Sequence, residues 1–215
     1  VISVKNNLSR WYNQFFKRAF DLSVATVGTI AISPILLGIA IAIKASSPGP
    51  AFYAHRRIGK DGIYFNCYKF RSMVVDSDRR LQEYLRANPE AAKEWEETHK
   101  LKHDPRVTKI GAFLRKTSLD ELPQLFNVIR GQMSLVGPRP IVDEEVIKYD
   151  VFFSDYTMVR PGMTGLWQTS GRSDTSYSRR VRLDAWYVRN WNIWLDISLL
   201  VKTVRVVLSS HSGAY

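Results

Sequence analysis

Residues Leu22 to Ile43 read LSVATVGTIAISPILLGIAIAI, 22 consecutive positions without a charge. At 1.5 Å per residue, such a run reaches about 33 Å as a helix, enough to cross a hydrocarbon core of about 30 Å. Pro34, near its middle, removes one backbone donor and crowds the carbonyl four residues earlier. Ser33 can return part of that loss by donating to a freed carbonyl. The two flanks carry the same sign, with Lys5, Arg10, Lys17 and Arg18 before the run and Lys44, Arg56, Arg57 and Lys60 after it. Basic residues at membrane ends favour the cytoplasmic side. A straight span would separate the two sets, whereas a helix broken at Ser33–Pro34 that re-enters keeps both on one side. Charge and spacing alone leave both readings open. A signal peptide fits poorly, because the run is long and no small-residue cleavage site follows it.

Working outward, the 215 residues suffice for one domain with a sizeable core. The chain opens without Met on the polar stretch Val1 to Asn7, and is expected to be the C-terminal part of a longer protein. A net charge of +11 suits anionic headgroups, nucleic acid or phosphorylated substrates. The apolar run favours the first and last of these, and no groove-reading motif supports nucleic acid. The single cysteine, Cys67, cannot form an internal disulfide and fits a reducing compartment. Its place in an alternating strand pattern marks it as a packed thiol rather than a nucleophile.

Before the run, Trp11 to Asp21 carries aromatics at helical spacing among cations, the pattern of an interfacial lead-in. The breaker Ser46-Ser47-Pro48-Gly49-Pro50 follows. Ala51 to Arg57 and Ile63 to Lys69 read as a hairpin around Gly59-Lys60-Asp61-Gly62. Met73 to Asn88 and Pro89 to about Lys100 read as polar helices, Arg106 to Lys116 as an interfacial helix, and Leu122 to Ile129 as a helix ended by Gly131. Ile141 to Asp150 is a short acidic helix, Arg160 to Arg172 a Gly-rich loop, and Ser173 to Asn190 a helix. Ile193 to Leu208 carries Asp196, Lys202 and Arg205, so a helix lying in the interface is expected rather than a second span. Three regions result: residues 1–21 as lead-in, 22–43 as membrane helix and 44–215 as a single catalytic domain.

The sharpest chemistry lies in Ser118-Leu119-Asp120-Glu121-Leu122-Pro123. Ser118 and Glu121 have capping-box spacing, although Pro123 would then fall inside the helix and lack a donor. With Asp120 as cap, Pro123 falls in the first turn. Either register puts Asp120 at a positive helix end, which stabilises a carboxylate or a phosphate. Capping and catalysis both remain open on this pattern. In Gly137-Pro138-Arg139-Pro140, two prolines fix the backbone around one guanidinium, as bidentate phosphate recognition requires. Arg160-Pro161-Gly162-Met163-Thr164-Gly165 pairs a cation with glycines that let a ligand approach the backbone. Lys69-Phe70-Arg71 adds two cations. Neither a phosphate-binding P-loop nor a strand-anchored dinucleotide fingerprint is present. His55, His99, His103 and His211 show no metal spacing beyond the pair His99 and His103, which has no third ligand nearby.

Taken together, these motifs resemble the bacterial sugar transferases, the monotopic polyprenol-phosphate phosphoglycosyl transferases. The resemblance runs from Lys17-Arg18-Ala19-Phe20-Asp21 to Lys202 through Ser33-Pro34, Lys69-Phe70-Arg71-Ser72-Met73, Asp104-Pro105-Arg106-Val107-Thr108, Thr117 to Pro123, Met133 to Pro140 and Arg160 to Gly165. Gln132 stands where the family usually has an acidic residue. The resemblance implies an α+β, mostly helical monotopic membrane protein with a re-entrant helix kinked at Ser33–Pro34, a small β-hairpin and interfacial amphipathic helices. It implies transfer of a phosphosugar from a UDP-sugar, expected to be UDP-galactose with UDP-glucose as alternative, to undecaprenyl phosphate with release of UMP. It further implies Asp120 as nucleophile, Asp120 and Glu121 as Mg²⁺ ligands, and Arg139 as phosphate clamp with Lys69, Arg71, Arg115 and Arg160 beside it. The expected place is the cytoplasmic face of a bacterial inner membrane. The implied partners are the UDP-sugar, undecaprenyl phosphate and membrane lipids, with a second copy of the chain admitted and nucleic acid excluded. A membrane-anchored lipid-binding scaffold, with Asp120 only a cap, is the competing reading.

Overall fold

The structure, a computed structural model, describes residues 7–98, 101–170 and 176–208. His99, His211, Ser173 to Thr175 and the first six residues lie outside them. The apolar run does not begin a new element. One helix, α1, extends from Trp11 to Ser46 and takes in the aromatic lead-in as well. It continues without interruption through Pro34. Pro34 leaves the Ile30 carbonyl without its usual donor, and Ser33 Oγ donates to that oxygen at 2.8 Å, as the sequence led one to expect. Among the described residues α1 alone is long and apolar enough to cross a membrane, and little of its apolar stretch is buried in the protein.

Both ends of α1 dock on the same folded body. Near its start, Lys17 Nζ donates to Asp196 Oδ2 at 2.6 Å, and Asp21 accepts from Ser134 Oγ at 2.7 Å. Ala25 enters the main core with Val128, Met133, Val136 and Leu199. Near its end, Leu36 and Ile43 enter a second core with Ala51, Phe70 and Leu114. Between Ala25 and Leu36 no residue is fully buried. The buried positions of α1 are Lys17, Asp21, Ala25, Leu36 and Ile43.

The hairpin pairs β1 (Phe52–Ile58) with β2 (Tyr64–Phe70) antiparallel, from Phe52 opposite Phe70 to Ile58 opposite Tyr64. Asp61 and Gly62 take positive φ in its turn. Helices α2 (Ser77–Ala87) and α3 (Pro89–Thr98) follow, then α4 (Lys109–Thr117), where Thr108 Oγ1 accepts from the Gly111 amide and caps the helix. Next come α5 (Gln124–Ile129), α6 (Asp143–Tyr149), α7 (Phe153–Thr157), α8 (Tyr177–Asn190) and α9 (Ile193–Leu208). The fold is thus α+β and mostly helical, with a small hairpin and one long apolar helix.

Two features depart from the sequence reading. Within the expected Gly-rich loop, β4 (Gly162–Thr164) pairs in parallel with β3 (Ser134–Val136). Gly137 and Gly162 lie back to back, and a Cβ on either would collide with the other's backbone. These glycines therefore let two strands approach rather than a ligand. Asp196 on α9 is not an interfacial surface charge. It is fully buried, accepting from Lys17, Tyr187 and Trp191.

Candidate active site

The Asp120 segment caps nothing. Ser118 ends α4 in the left-handed region at φ 57°. Leu119 to Glu121 then form a single 3-10 turn, and α5 starts only after Pro123, with no side-chain cap at either point. Neither capping register of the sequence reading is realised, so the carboxylates need another reason to be there. Leu119 and Leu122, on either side of the pair, pack into the core that holds Leu36 and Ile43 of α1. The turn is fixed directly on the apolar helix.

Asp120 is 9% exposed. Lys69, at the end of β2, reaches both carboxylates, donating to Glu121 Oε1 at 2.6 Å and standing 4.0 Å from Asp120 Oδ2. Burial raises the Asp120 pKa above the usual carboxylate value, Lys69 opposes this, Glu121 adds to it and Arg115 opposes it. Lys69 and Glu121 face a cleft that Arg57, Cys67, Gln124, Arg139, Pro140, Gly162, Met163 and Gln168 also line. Cys67 is buried, and desolvation pushes its thiol up to about 11, which suits a packed thiol and not a nucleophile.

The main chain on both sides of Arg139 is tied to neighbouring segments. The Pro138 carbonyl accepts from the Gly162 amide at 2.8 Å, and the Ile141 carbonyl from the Ile58 amide at 3.0 Å. The exposed guanidinium lies 5.8 Å from the ring of Trp167. Behind it, the fully buried Asp184 accepts from Tyr149 Oη at 2.9 Å, and burial lifts its pKa to about 7.

The five cations picked from sequence do not converge. Lys69 and Arg139 line the cleft. Arg115 binds Ser72 Oγ through Nε at 2.8 Å and acts on Asp120 by charge. Arg71 is buried and donates through Nη1 to the Pro48 carbonyl and through Nη2 to Ser47, each at 2.8 Å, closing the end of α1, while its Nε finds no partner among the described residues. Arg160 donates to the Gly131 carbonyl at 2.6 Å and lines a separate cleft with Lys17, Arg18, Asp21 and Lys60. Arg71 and Arg160, which rigid basic motifs had marked for phosphate, do not line the cleft of Lys69 and Glu121. Ser33 and Pro34 sit in the bare middle of α1, remote in sequence from the carboxylates, with Ser33 bonded to the Ile30 carbonyl.

Sequence reading missed Arg57 and Gln168. Arg57 faces the cleft while donating to the Pro140 carbonyl at 3.3 Å and lying 3.7 Å from Glu145. Hairpin alternation held that signal, since Arg57 lies directly opposite Phe65 and so shares a face with Cys67 and Lys69. Gln168 gave no local signal. Its Oε1 is buried and finds no donor among the described residues, an arrangement that costs about 1–3 kcal/mol when left unmatched. Gln132, in the position of the family's acid, donates nothing to the cleft and accepts from Asn127 Nδ2 at 2.7 Å.

Among the described residues, no group of three or more His, Cys, Asp or Glu side chains surrounds a metal position. Two adjacent carboxylates nonetheless fit Mg²⁺, which takes one or two protein carboxylates and completes its shell with water and substrate phosphate. Both carboxylates lie within 4.0 Å of the Lys69 ammonium.

A protein-family model, "Bacterial sugar transferase", matches residues 12–210. A protein of Erwinia amylovora named UDP-galactose-lipid carrier transferase is 52% identical over all of this chain and 45% of its own length. The undecaprenyl-phosphate galactose phosphotransferase of Salmonella typhimurium is 50% identical over all of this chain and 45% of its own. The exopolysaccharide production protein ExoY of Sinorhizobium fredii is 51% identical over 93% of this chain and 88% of its own. The chain spans about half the length of the first two relatives. It belongs to the bacterial sugar transferase family.

Proposed function

We propose that this bacterial sugar transferase moves a phosphosugar from a UDP-sugar, with galactose as the sugar, to undecaprenyl phosphate and releases UMP. The observation that carries the reading is the buried Asp120 beside Glu121 and Lys69, on a turn whose flanking leucines pack on the apolar helix. Such a carboxylate sits at the edge of a cationic cleft and next to the part of the protein suited to lipid.

In the proposed reaction a carboxylate oxygen of Asp120 attacks the sugar-bearing phosphorus. The bond from that phosphorus to the UMP oxygen breaks, and UMP leaves with the electron pair. An oxygen of undecaprenyl phosphate then attacks the same phosphorus, and the Asp120 carboxylate leaves intact. Burial makes Asp120 a more basic carboxylate, and Lys69 and Arg115 offset part of that shift. Arg139 and Arg57, which line the same cleft, neutralise the diphosphate oxygens. Asp120 and Glu121 would hold Mg²⁺, which supplies neutralisation of the diphosphate and the leaving oxygen when bound. This is the first membrane step of O-antigen, capsule or exopolysaccharide synthesis, placed at the cytoplasmic face of the inner membrane. The names of the relatives support the galactose reading.

The proposed membrane attachment is monotopic. Both ends of α1 bind one body, which favours entry and return on the same side over a span. Cysteines placed at Ser9 and Lys60 should both react with a membrane-impermeant reagent from the cytoplasmic side alone, and labelling of either from outside would refute the topology. For the chemistry, UMP release is followed with a panel of UDP-sugars and undecaprenyl phosphate. Asp120→Asn should abolish release while membrane association persists. Near-normal turnover of that variant would sink the nucleophile assignment and leave Asp120 a structural residue of a lipid-binding scaffold.

A further inference from the structure

We propose that the side-chain carbonyl of Gln168 accepts a hydrogen bond from the nucleotide sugar and thereby selects the donor. The assignment rests on the function proposed above. Gln168 belongs to the 3-10 turn Trp167–Thr169, beside the tryptophan whose ring lies near Arg139, and it lines the cleft of Lys69, Glu121, Arg57 and Arg139. Its Nε2 donates to the Met163 carbonyl at 3.4 Å. That contact fixes the amide, because the reverse orientation would set two carbonyl oxygens against each other. Oε1 is then the free end of the amide, buried and without a donor among the described residues. Gly165 leaves room for it, since a Cβ at that position would come within 3.1 Å of Oε1.

Lys69 donates to Glu121 and Arg57 to the Pro140 carbonyl, and neither donates to Gln168 Oε1. A wall of cations recognises phosphate oxygens, which only accept. A lone acceptor among them requires a ligand that also donates, and the nucleotide sugar has such groups in its sugar hydroxyls and in the N3–H of uracil. A site that leaves a buried polar group unpaired with the wrong substrate discriminates far more strongly than an apolar pocket does.

The test compares wild-type protein with Gln168→Met, which keeps the bulk and removes the acceptor, on UDP-galactose, UDP-glucose and CDP-galactose. CDP lacks the N3–H. The variant should raise KM for UDP-galactose about tenfold to a hundredfold with a smaller change in kcat. A narrowed preference for uracil over cytosine assigns the bond to the base, and a narrowed preference for galactose over glucose assigns it to the sugar. Unchanged KM with both preferences intact overturns the proposal. Should the variant not fold, wild-type kinetics with N3-methyluridine diphosphate galactose and a deoxygalactose series decide, and equal kcat/KM across all of them overturns it. If wild type releases no UMP from any UDP-sugar, the function proposed above falls and this assignment with it. Activity in wild type with no effect at Gln168 overturns this assignment alone.

Discussion

Replacing Lys17 by Met tests what holds the apolar helix to the body. Lys17 is 7% exposed and Asp196 is 0% exposed, and their 2.6 Å contact joins α1 to α9. Asp21 Oδ2 lies 3.9 Å from the same ammonium. Without Lys17 two buried carboxylates lose their shared cation, although Tyr187 and Trp191 still donate to Asp196. Breaking one partner of a buried pair costs about 3–5 kcal/mol, because the remaining charge is left uncompensated. For a domain of this size, roughly 2–4 °C per kcal/mol gives a fall in Tm of about 6–20 °C. Thermal unfolding of the detergent-solubilised protein, followed by far-UV circular dichroism, reads this directly. The double variant Lys17→Met/Asp196→Asn carries no stranded charge at Asp196, so it should be more stable than the two single losses added together, by about 1 kcal/mol or more. A single-variant loss under about 1 kcal/mol, or strict additivity in the double, would refute the reasoning.

Lys69→Met should lower kcat about a hundredfold to a thousandfold and change stability by no more than about 1 kcal/mol, since the pair is partly solvated. Because Lys69 lowers the Asp120 pKa, its loss should move the acid limb of the pH–rate profile to higher pH, and an unmoved limb would separate Lys69 from Asp120. Asp184 tests the support under Arg139. Its carboxyl keeps a proton up to about 7 in the folded state and releases it near 3.8 when unfolded, so the folded state binds more protons in between. Wild-type stability should therefore fall relative to that of Asp184→Asn as pH rises from about 4 to 7, by on the order of a few kcal/mol. Parallel Tm-against-pH curves for the two proteins would contradict it.

Elements whose partners are local were legible in the sequence. The hairpin declared itself by alternation around Gly59 to Gly62, and the structure shifts it by one residue. The Ser33 bond to the carbonyl freed by Pro34 followed from spacing alone. Long-range partners were not legible. Lys17, Asp21 and Asp196 looked like boundary charges, yet distant residues bury and pair them, so the helix starts at Trp11 and not at the first uncharged residue. The β3–β4 pair joins two three-residue strands, too short for periodicity to show. In the site, the Asp120–Glu121 pair and the rigid Arg139 stood out because their neighbours in sequence constrain them. Arg71 and Arg160 had equally rigid neighbours, and only the fold shows them bonded to main-chain carbonyls away from the Lys69 cleft.

The buried positions of α1 carry a further constraint. At 100° per residue, Lys17, Asp21, Ala25, Leu36 and Ile43 all fall within an arc of about 100°. Ala25 and Ile43 are eighteen residues apart, five whole turns. The helix is therefore phased at both ends against one body, like a bolt through two aligned holes. A spanning helix tolerates an added residue by tilting. Here a single insertion between Ala25 and Leu36 would rotate every later position by about 100°, turning Leu36 and Ile43 off the core that carries the Asp120 turn. The length of this apolar run is set by rotation, in whole turns, rather than by the thickness of a bilayer.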